Sequence, residues 1–500
     1  MKKNKMKLNS IMGSSAGKQS GEKDEGCAFS YKRTLLCGFA FFGICAFWQL
    51  YDNIITLILK FDFGVNETAS GWIMSLDNIF ALFMLPLFGT LSDKTKTRLG
   101  KRMPYIIFGT LFSALAFTLI PIAVEMKNMV FFVSVLLAAL VAMSIYRSPA
   151  VSLMPDITPK PFRSKANAVI NLMGTFGGLA VLISVSVLMK TQYYVDCAVS
   201  GMRTAISSSS AAEYFCEGCG ETHVLSDLTS DTYVLRLEHE SFLPLFALTA
   251  GIMVVCLVIL LLFMHENRYT SEREEAERRL GLSDSMDYEN NGEGRERLRP
   301  EVKRSLIFLL LSVAFWFMGY NAVTTAFSKY VVWYWGLPDG GFANCLIVAL
   351  AAAAVSYIPI GFISGRIGRK KTILIGVALL TAMFGSAFFF KSYHPAINIL
   401  FALVGVAWAA INVNSYPMVV EMSRGSSIGK YTGLYYTFSM AAQIITPILS
   451  GYLLDISYKM LFPYATAFAA LSFVTMLFVK HGDSRPKGKT SILEKIGADM

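Results

Sequence analysis

Gly89-Thr-Leu-Ser-Asp-Lys-Thr-Lys-Thr-Arg-Leu-Gly-Lys-Arg-Met-Pro104 is a short basic turn held between two apolar runs, residues 71–91 before it and 103–123 after it. Each run is long enough to cross a bilayer at about 1.5 Å of rise per residue. Lys94, Lys96, Arg98, Lys101 and Arg102 crowd a loop too short to be a domain. Cationic loops of this length stay on the cytoplasmic side, so the turn sets the orientation of every other segment.

Working outward, the rest of the 500-residue chain agrees: 54% of residues are hydrophobic and 16% charged, too few to cover soluble domains. The net charge of +10 comes from Lys and Arg in alternate loops and forms no nucleic-acid-binding stripe. Twelve spans are expected, near 34–59, 70–91, 103–124, 129–152, 165–190, 242–264, 304–329, 341–364, 371–390, 396–419, 431–454 and 460–480. An even number returns both termini to the cytoplasm of a multi-pass cell-membrane protein. The cations Lys160, Arg163 and Lys165, then Arg366, Arg369, Lys370 and Lys371, then Arg424 and Lys430 fall on that side. Residues 1–31 read as a disordered cytoplasmic tail, 32–264 as an N-terminal six-helix bundle, 265–303 as a charged cytoplasmic loop, 304–480 as a second six-helix bundle and 481–500 as a tail.

Within the first bundle, 191–241 is an external polar loop, read as a tolerated insertion. Cys197, Cys216 and Cys219 share it, and a single Cys-x-x-Cys falls short of a structural zinc site; no metal is expected. The halves echo each other. Gly89-x-x-x-Asp93 with Gly100-Lys-Arg is answered by Gly361-x-x-x-Gly365 with Gly368-Arg-Lys-Lys, and Pro149 with Asp156 by Pro417 with Glu421. A hairpin repeated at the same place in two six-span halves is the mark of a carrier built from parallel bundles.

These residues resemble the signature of the major facilitator superfamily, Gly-x-x-x-Asp-x-x-Gly-[Arg/Lys]-[Arg/Lys]. The longer form from Asp93 to Pro104, with Arg163-Ser-Lys-Ala-Asn-Ala and Gly177-Gly178, is similar to the glycoside-pentoside-hexuronide:cation symporters and most of all to their sucrose-proton relatives. The resemblance implies an all-helical fold of twelve transmembrane helices in two pseudo-symmetric bundles. It also implies a latch in which Asp93 rests near the start of span eleven, by Gly429 and Lys430. Where melibiose-type members carry sodium-binding aspartates, this chain has Ala81 and Leu85. A proton is therefore the expected coupling ion, with no other cofactor.

Each intramembrane acid needs a reason, since one at a helix centre costs about 2.5–3.5 kcal/mol on insertion scales. Asp52 and Asp77 lie at matched distances from the turn near Gly64, which puts them at similar depth. Two neighbouring carboxylates in low dielectric ionise with difficulty, a property suited to proton coupling. The alternative is a hydrated, structural pair near the external mouth. Gln49, Asn53 and Asn78 beside Trp48 offer hydroxyl-binding groups with an aromatic platform for a sugar ring. Asn171, Asn321, Asn344, Asn412 with Trp408, and Gln443 add neutral donors and acceptors that serve a solute or glue helices together. Arg147, about a turn and a half from the end of span four, joins Gly89, Asp93, Arg98, Gly100, Arg102 and Asp156 in an expected cytoplasmic gate, with substrate or proton coupling as its other role.

The expected activity is proton-coupled symport of a sugar or glycoside by a monomer in the bilayer. Efflux by antiport and sugar sensing without transport are the rivals. None of the five histidines lies well inside a span and no metalloprotease or phosphate-loop motif is present, so an enzyme is not expected.

Overall fold

The computed structural model describes residues 30–159, 162–189, 241–279, 300–335, 337, 340–422 and 428–482, together with five strand segments between 191 and 239. The first membrane segment comprises α1 (Tyr31–Leu50), a five-residue π-helical turn (Tyr51–Ile55) and α2 (Thr56–Phe61). It is followed by α3 (Glu67–Lys94), α4 (Met103–Glu125), α5 (Met129–Ile157) and α6 (Arg163–Leu188), then by α7 (Leu243–Phe263) after the strands. A short helix α8 (Glu266–Arg279) precedes α9 (Pro300–Trp333), α10 (Gly341–Ile367), α11 (Arg369–Ala387), α12 (Ala396–Glu421), α13 (Ile428–Ile456) and α14 (Leu461–Leu477). Among the described residues twelve helical segments are long and apolar enough to span a membrane. The polar segment after α6 departs from the loop expected there. Its backbone pairs antiparallel as β2-β1-β5 (Arg203–Ile206, Thr191–Cys197, Tyr233–His239) and as β3-β4 (Glu213–Cys216, Glu221–Val224). Thr191, Tyr193, Tyr194 and Val195 in Thr191–Cys197 supply the β-branched and aromatic residues that strands favour. The side chains of Cys197, Cys216 and Cys219 lie outside the described residues.

The helices form two bundles. In the first, α1 packs on α6 and α7, and α4 on α5 and α7; in the second, α10 packs on α12, α9 on α14, and α11 on α12 and α14. Two main seams join the bundles, α3 against α13 and α6 against α10, and α9 adds a smaller contact with the π-helical turn and α2. Lipid offers helices no hydrophobic reason to associate, so small residues that let backbones touch decide where they do. A Cβ at Gly71 would stand 2.1 Å from the Pro447 carbonyl oxygen on the α3–α13 seam, a position open only to glycine. Ser75 Oγ adds a 2.8 Å hydrogen bond to the Ile444 carbonyl on the same seam.

These joints cluster on the half of the molecule away from the Gly89–Pro104 hairpin, called here the far side. Ser186 Oγ donates to Asn344 Oδ1 at 2.8 Å between α6 and α10, and Ser328 Oγ of α9 donates to the Asn53 carbonyl at 2.9 Å. On the hairpin side, Gly361 and Gly365 of α10 and Gly433 of α13 face open space, with no atom of the described residues within 4 Å of where a Cβ would be. The bundles meet on the far side and part toward the hairpin.

Candidate functional site

The π-helical turn is the feature that shapes the centre of the molecule. An extra residue in a helical turn leaves carbonyls without their usual amides. Side chains take their place: Asn53 Nδ2 donates to the Gln49 carbonyl at 2.8 Å, and Thr56 Oγ1 lies 3.3 Å from the carbonyls of Asp52 and Asn53. The bulge rotates Asp52 into a cavity of about 130 Å³ between the bundles. Asp77 and Asn78 of α3 enter from a second wall, and Asn78 Nδ2 donates to Asp77 Oδ1 at 2.7 Å. Trp48 of α1 lies along the same wall as Asp52. The second bundle contributes Asn321, Thr324 and Thr325 from α9 and Gln443 from α13. Two buried donors of this cavity, Trp48 Nε1 and Asn321 Nδ2, have no hydrogen-bond partner. One stands in each bundle, and a buried donor without a partner calls for an acceptor.

Arg147 also lines this cavity, which corrects its expected place in the gate. Its guanidinium lies 5.6 Å from the Trp48 ring centroid, in cation–π range, and is close enough to Asp52 and Asp77 to interact with both charges. The cause is the length of α5: it runs on to Ile157, so Arg147 stands almost three turns from the helix end and its side chain reaches the centre rather than the surface.

Other expected contacts lie elsewhere. Gln49 packs against Gly178 of α6, and the Asn53 Nδ2 is spent on its own helix while its Oδ1 is buried without a hydrogen-bond partner among the described residues. Asn171 is exposed on α6, and Asn344 is bonded to Ser186 on the α6–α10 seam. Trp408 stacks on Tyr320, rings 3.7 Å apart, and Asn412 is hydrogen-bonded to Tyr357. None of the six lines the cavity, and Asn344, Trp408 and Asn412 contact neighbouring helices, as polar residues between membrane helices often do.

The hairpin is an ion network centred on Arg102. Its side chain bonds Asp93, Ser92 Oγ, the Gly89 carbonyl at 3.2 Å and Asp156 Oδ2 at 2.8 Å, while Lys101 reaches Asp156 at 3.1 Å. Arg98 departs from expectation, because its side chain points to solvent and only its carbonyl is used, by Asn267 Nδ2 at 3.0 Å. Among the described residues the partners of this network all lie in the first bundle. The side chains of Lys430 and Glu421 lie outside the described residues. At its foot, Glu266, 1% exposed, accepts from the amides of Lys101, Arg102 and Met103 at 2.9–3.1 Å. Gly100, at φ +122°, turns those amides toward it. Burial pushes the Glu266 carboxyl above its usual range, against the downward pull of the amides. Glu266→Ala orphans three buried donors, each worth about 1–3 kcal/mol. A melting temperature lower by roughly 5 °C or more is expected by differential scanning fluorimetry, and an unchanged value refutes this anchoring role.

The far side holds a buried charge cluster that the sequence analysis did not single out. Glu67, at the first turn of α3, pairs with Lys329 of α9 and accepts from Tyr458, with Lys60 at 3.3 Å. Glu67 is 1% and Lys329 4% exposed. Asp455 of α13 caps the start of α3, accepting from the amides of Glu67 at 2.7 Å and Thr68 at 2.9 Å, where the helix dipole favours an anion. Each of these bonds except Lys60–Glu67 joins one bundle to the other. The available signal was Lys329 itself, a lone cation inside the seventh apolar run at the depth of Glu67.

Residues 37–479 match the family described as MFS/sugar transport protein. An uncharacterized MFS-type transporter of Methanocaldococcus jannaschii is 32% identical over 123 residues, which cover 24% of this chain and 30% of that protein. Among solved structures, an inward open xylose transporter XylE from E. coli superposes over 93% of this chain and 98% of its own, with a TM-score of 0.59 and 16% identity. The nucleoside transporter NupG superposes over 89% and 100%, with a TM-score of 0.59 and 14% identity. At these identities the likeness is one of fold.

Proposed function

The chain belongs to the MFS/sugar transport protein family, and on that premise we propose that it carries a sugar or glycoside across the cell membrane together with a proton, as a monomer working by alternating access. The hairpin side is assigned to the cytoplasm, where its cations belong. The observation that carries the reading is the central cavity: Asp52 and Asp77 on one bundle face Asn321, Thr324 and Gln443 on the other. In this assignment the two carboxylates take up the proton, and the neutral amides and hydroxyls hold a polyhydroxylated solute against Trp48. Xylose and nucleosides, named for the two structural neighbours, are solutes of that kind. The fingerprint from Asp93 to Pro104 favours the glycoside:cation symporters and their sucrose-proton relatives within the superfamily. No bond-breaking chemistry is assigned.

In this reading the cavity opens to each side in turn. With the hairpin side open, the cavity exchanges solute and proton with the cytoplasm; closing that side and breaking the Glu67–Lys329 cluster turns it outward. The test is uptake of radiolabelled disaccharides and glycosides into energised vesicles under imposed pH or sodium gradients. Accumulation driven by the pH gradient and reduced at least roughly tenfold by Asp77→Asn is expected, as for loss of a coupling carboxylate. Solute movement only outward in exchange for protons supports antiport instead, and saturable binding without movement supports a sensor.

A further inference from the structure

The charged side chains that face the cavity are, among the described residues, Asp52 from the π-helical turn, Asp77 from α3 and Arg147 from α5; α9 and α13 present neutral amides and hydroxyls. Cys45, Tyr51, Tyr320 and Tyr436 lie near enough to feel these charges and are uncharged as thiol and phenols. Two carboxylates and one guanidinium sum to a single negative charge. Among the described residues Arg147 makes no ion pair within 4.0 Å and interacts with the charges of both Asp52 and Asp77, so it serves the cavity as a whole rather than one acid.

We propose that Arg147 is the counting residue of this carrier: its fixed positive charge limits the cavity to one bound proton per cycle. The proposal rests on the symport reading and adds its stoichiometry. A cavity from which a bound solute has displaced the water holds net charge at high cost, so the loaded form passes between the two openings only when its charges cancel, whereas the empty cavity is hydrated and tolerates a charge. With Arg147 present, one ionised aspartate cancels the guanidinium and the other aspartate carries the proton. The empty carrier then returns with a net negative charge, and each cycle with an uncharged solute moves one positive charge inward.

The count turns into a series of substitutions with opposite signs. Arg147→Gln leaves two uncompensated carboxylates and raises the bound protons to about two. Asp52→Asn leaves Asp77 paired with Arg147 and lowers the number to about zero. The double variant Asp52→Asn, Arg147→Gln restores about one, and Arg147→Lys keeps the wild-type count.

Infrared spectroscopy of the full-length protein in lipid reads this number directly, as the protonated-carboxyl band that titrates between about pH 5 and pH 9. Relative to wild type, the band is expected to double in Arg147→Gln, vanish in Asp52→Asn and return in the double variant. A band unchanged in Arg147→Gln, or shifts of the same sign in the two single variants, overturns the proposal. If Arg147→Gln does not fold, Asp52→Asn and Arg147→Lys still decide, since a band retained in the first or doubled in the second refutes the count. Proton-to-sucrose flux ratios in proteoliposomes, read with a trapped pH dye, should follow the same order. Bands that follow the series without flux of any sugar leave the count standing and refute the symport reading.

Discussion

Lys329→Ala is expected to open the far face of the molecule. The substitution leaves the Glu67 carboxylate buried against Tyr458 with Lys60 as its remaining cation. Breaking a buried pair by removing one partner costs about 3–5 kcal/mol, and the presence of Lys60 argues for the lower end. Because the Glu67–Lys329 bond spans the two bundles, that cost falls on the conformation in which they touch here. About 3 kcal/mol is roughly a hundredfold shift in population toward the far-side-open form. Spin labels at Met126, just past α4, and at Phe389, just past α11, lie at the far ends of opposite bundles and are both exposed. Their distance distribution should move to longer values in Lys329→Ala and stay in place in Lys329→Arg. An unmoved distribution in the alanine variant would show that the cluster is not a latch.

The second large effect separates the seams between bundles from those within them. Valine at position 71 would clash with the Pro447 carbonyl, and valine at 177 would clash equally with the Phe42 carbonyl, 2.2 Å from its Cβ. The consequences differ because Gly71 faces the other bundle, whereas Gly177 lies on the α6–α1 seam inside the first. Gly71→Val has a way out: the bundles separate, and the same pair of labels reports the longer distance. Gly177→Val has none, and overpacking of about 1–3 kcal/mol or more becomes lost stability, roughly 5 °C in melting temperature. Equal losses of stability in both variants would mean that the α3–α13 seam does not open.

Much of this was legible in the chain. Charge and hydropathy report which segments enter lipid, and the twelve spans follow from them because backbone in hydrocarbon has almost no choice but helix. The depth argument for Asp52 and Asp77 needed only antiparallel helices of equal rise, and both side chains line one cavity. Three features were hidden for physical reasons. The π-helical turn changes which face Asp52 occupies by about a quarter turn of helix, and nothing in Tyr51-Asp-Asn-Ile-Ile55 announces it before the Ser328 hydroxyl of a distant helix is seen to hold it. Arg147 sits at a depth compatible with either the surface or the centre, and the choice between snorkelling and reaching inward is made by neighbours. Lys329 and Glu67 are 262 residues apart, and a pairing over that distance is a property of the fold. The strands after α6 show the converse, since the β-favouring Tyr193, Tyr194 and Val195 were present in the sequence but were outweighed by the reading of a polar insertion.

The bare stretches of Gly361, Gly365 and Gly433 have a meaning that depends on a conformation other than this one. A glycine within a helix gives up about 1 kcal/mol relative to alanine, and on an open wall it gains no contact in exchange. On the far side, Gly71 and Gly451 show what such residues are for: backbones there touch where any side chain would hold them apart. The smooth patches on the hairpin side are thus the negative of a surface that has yet to meet them. This single conformation therefore carries a cast of its counterpart, and the closed hairpin side should show α10 and α13 lying backbone to backbone against the first bundle at these three positions.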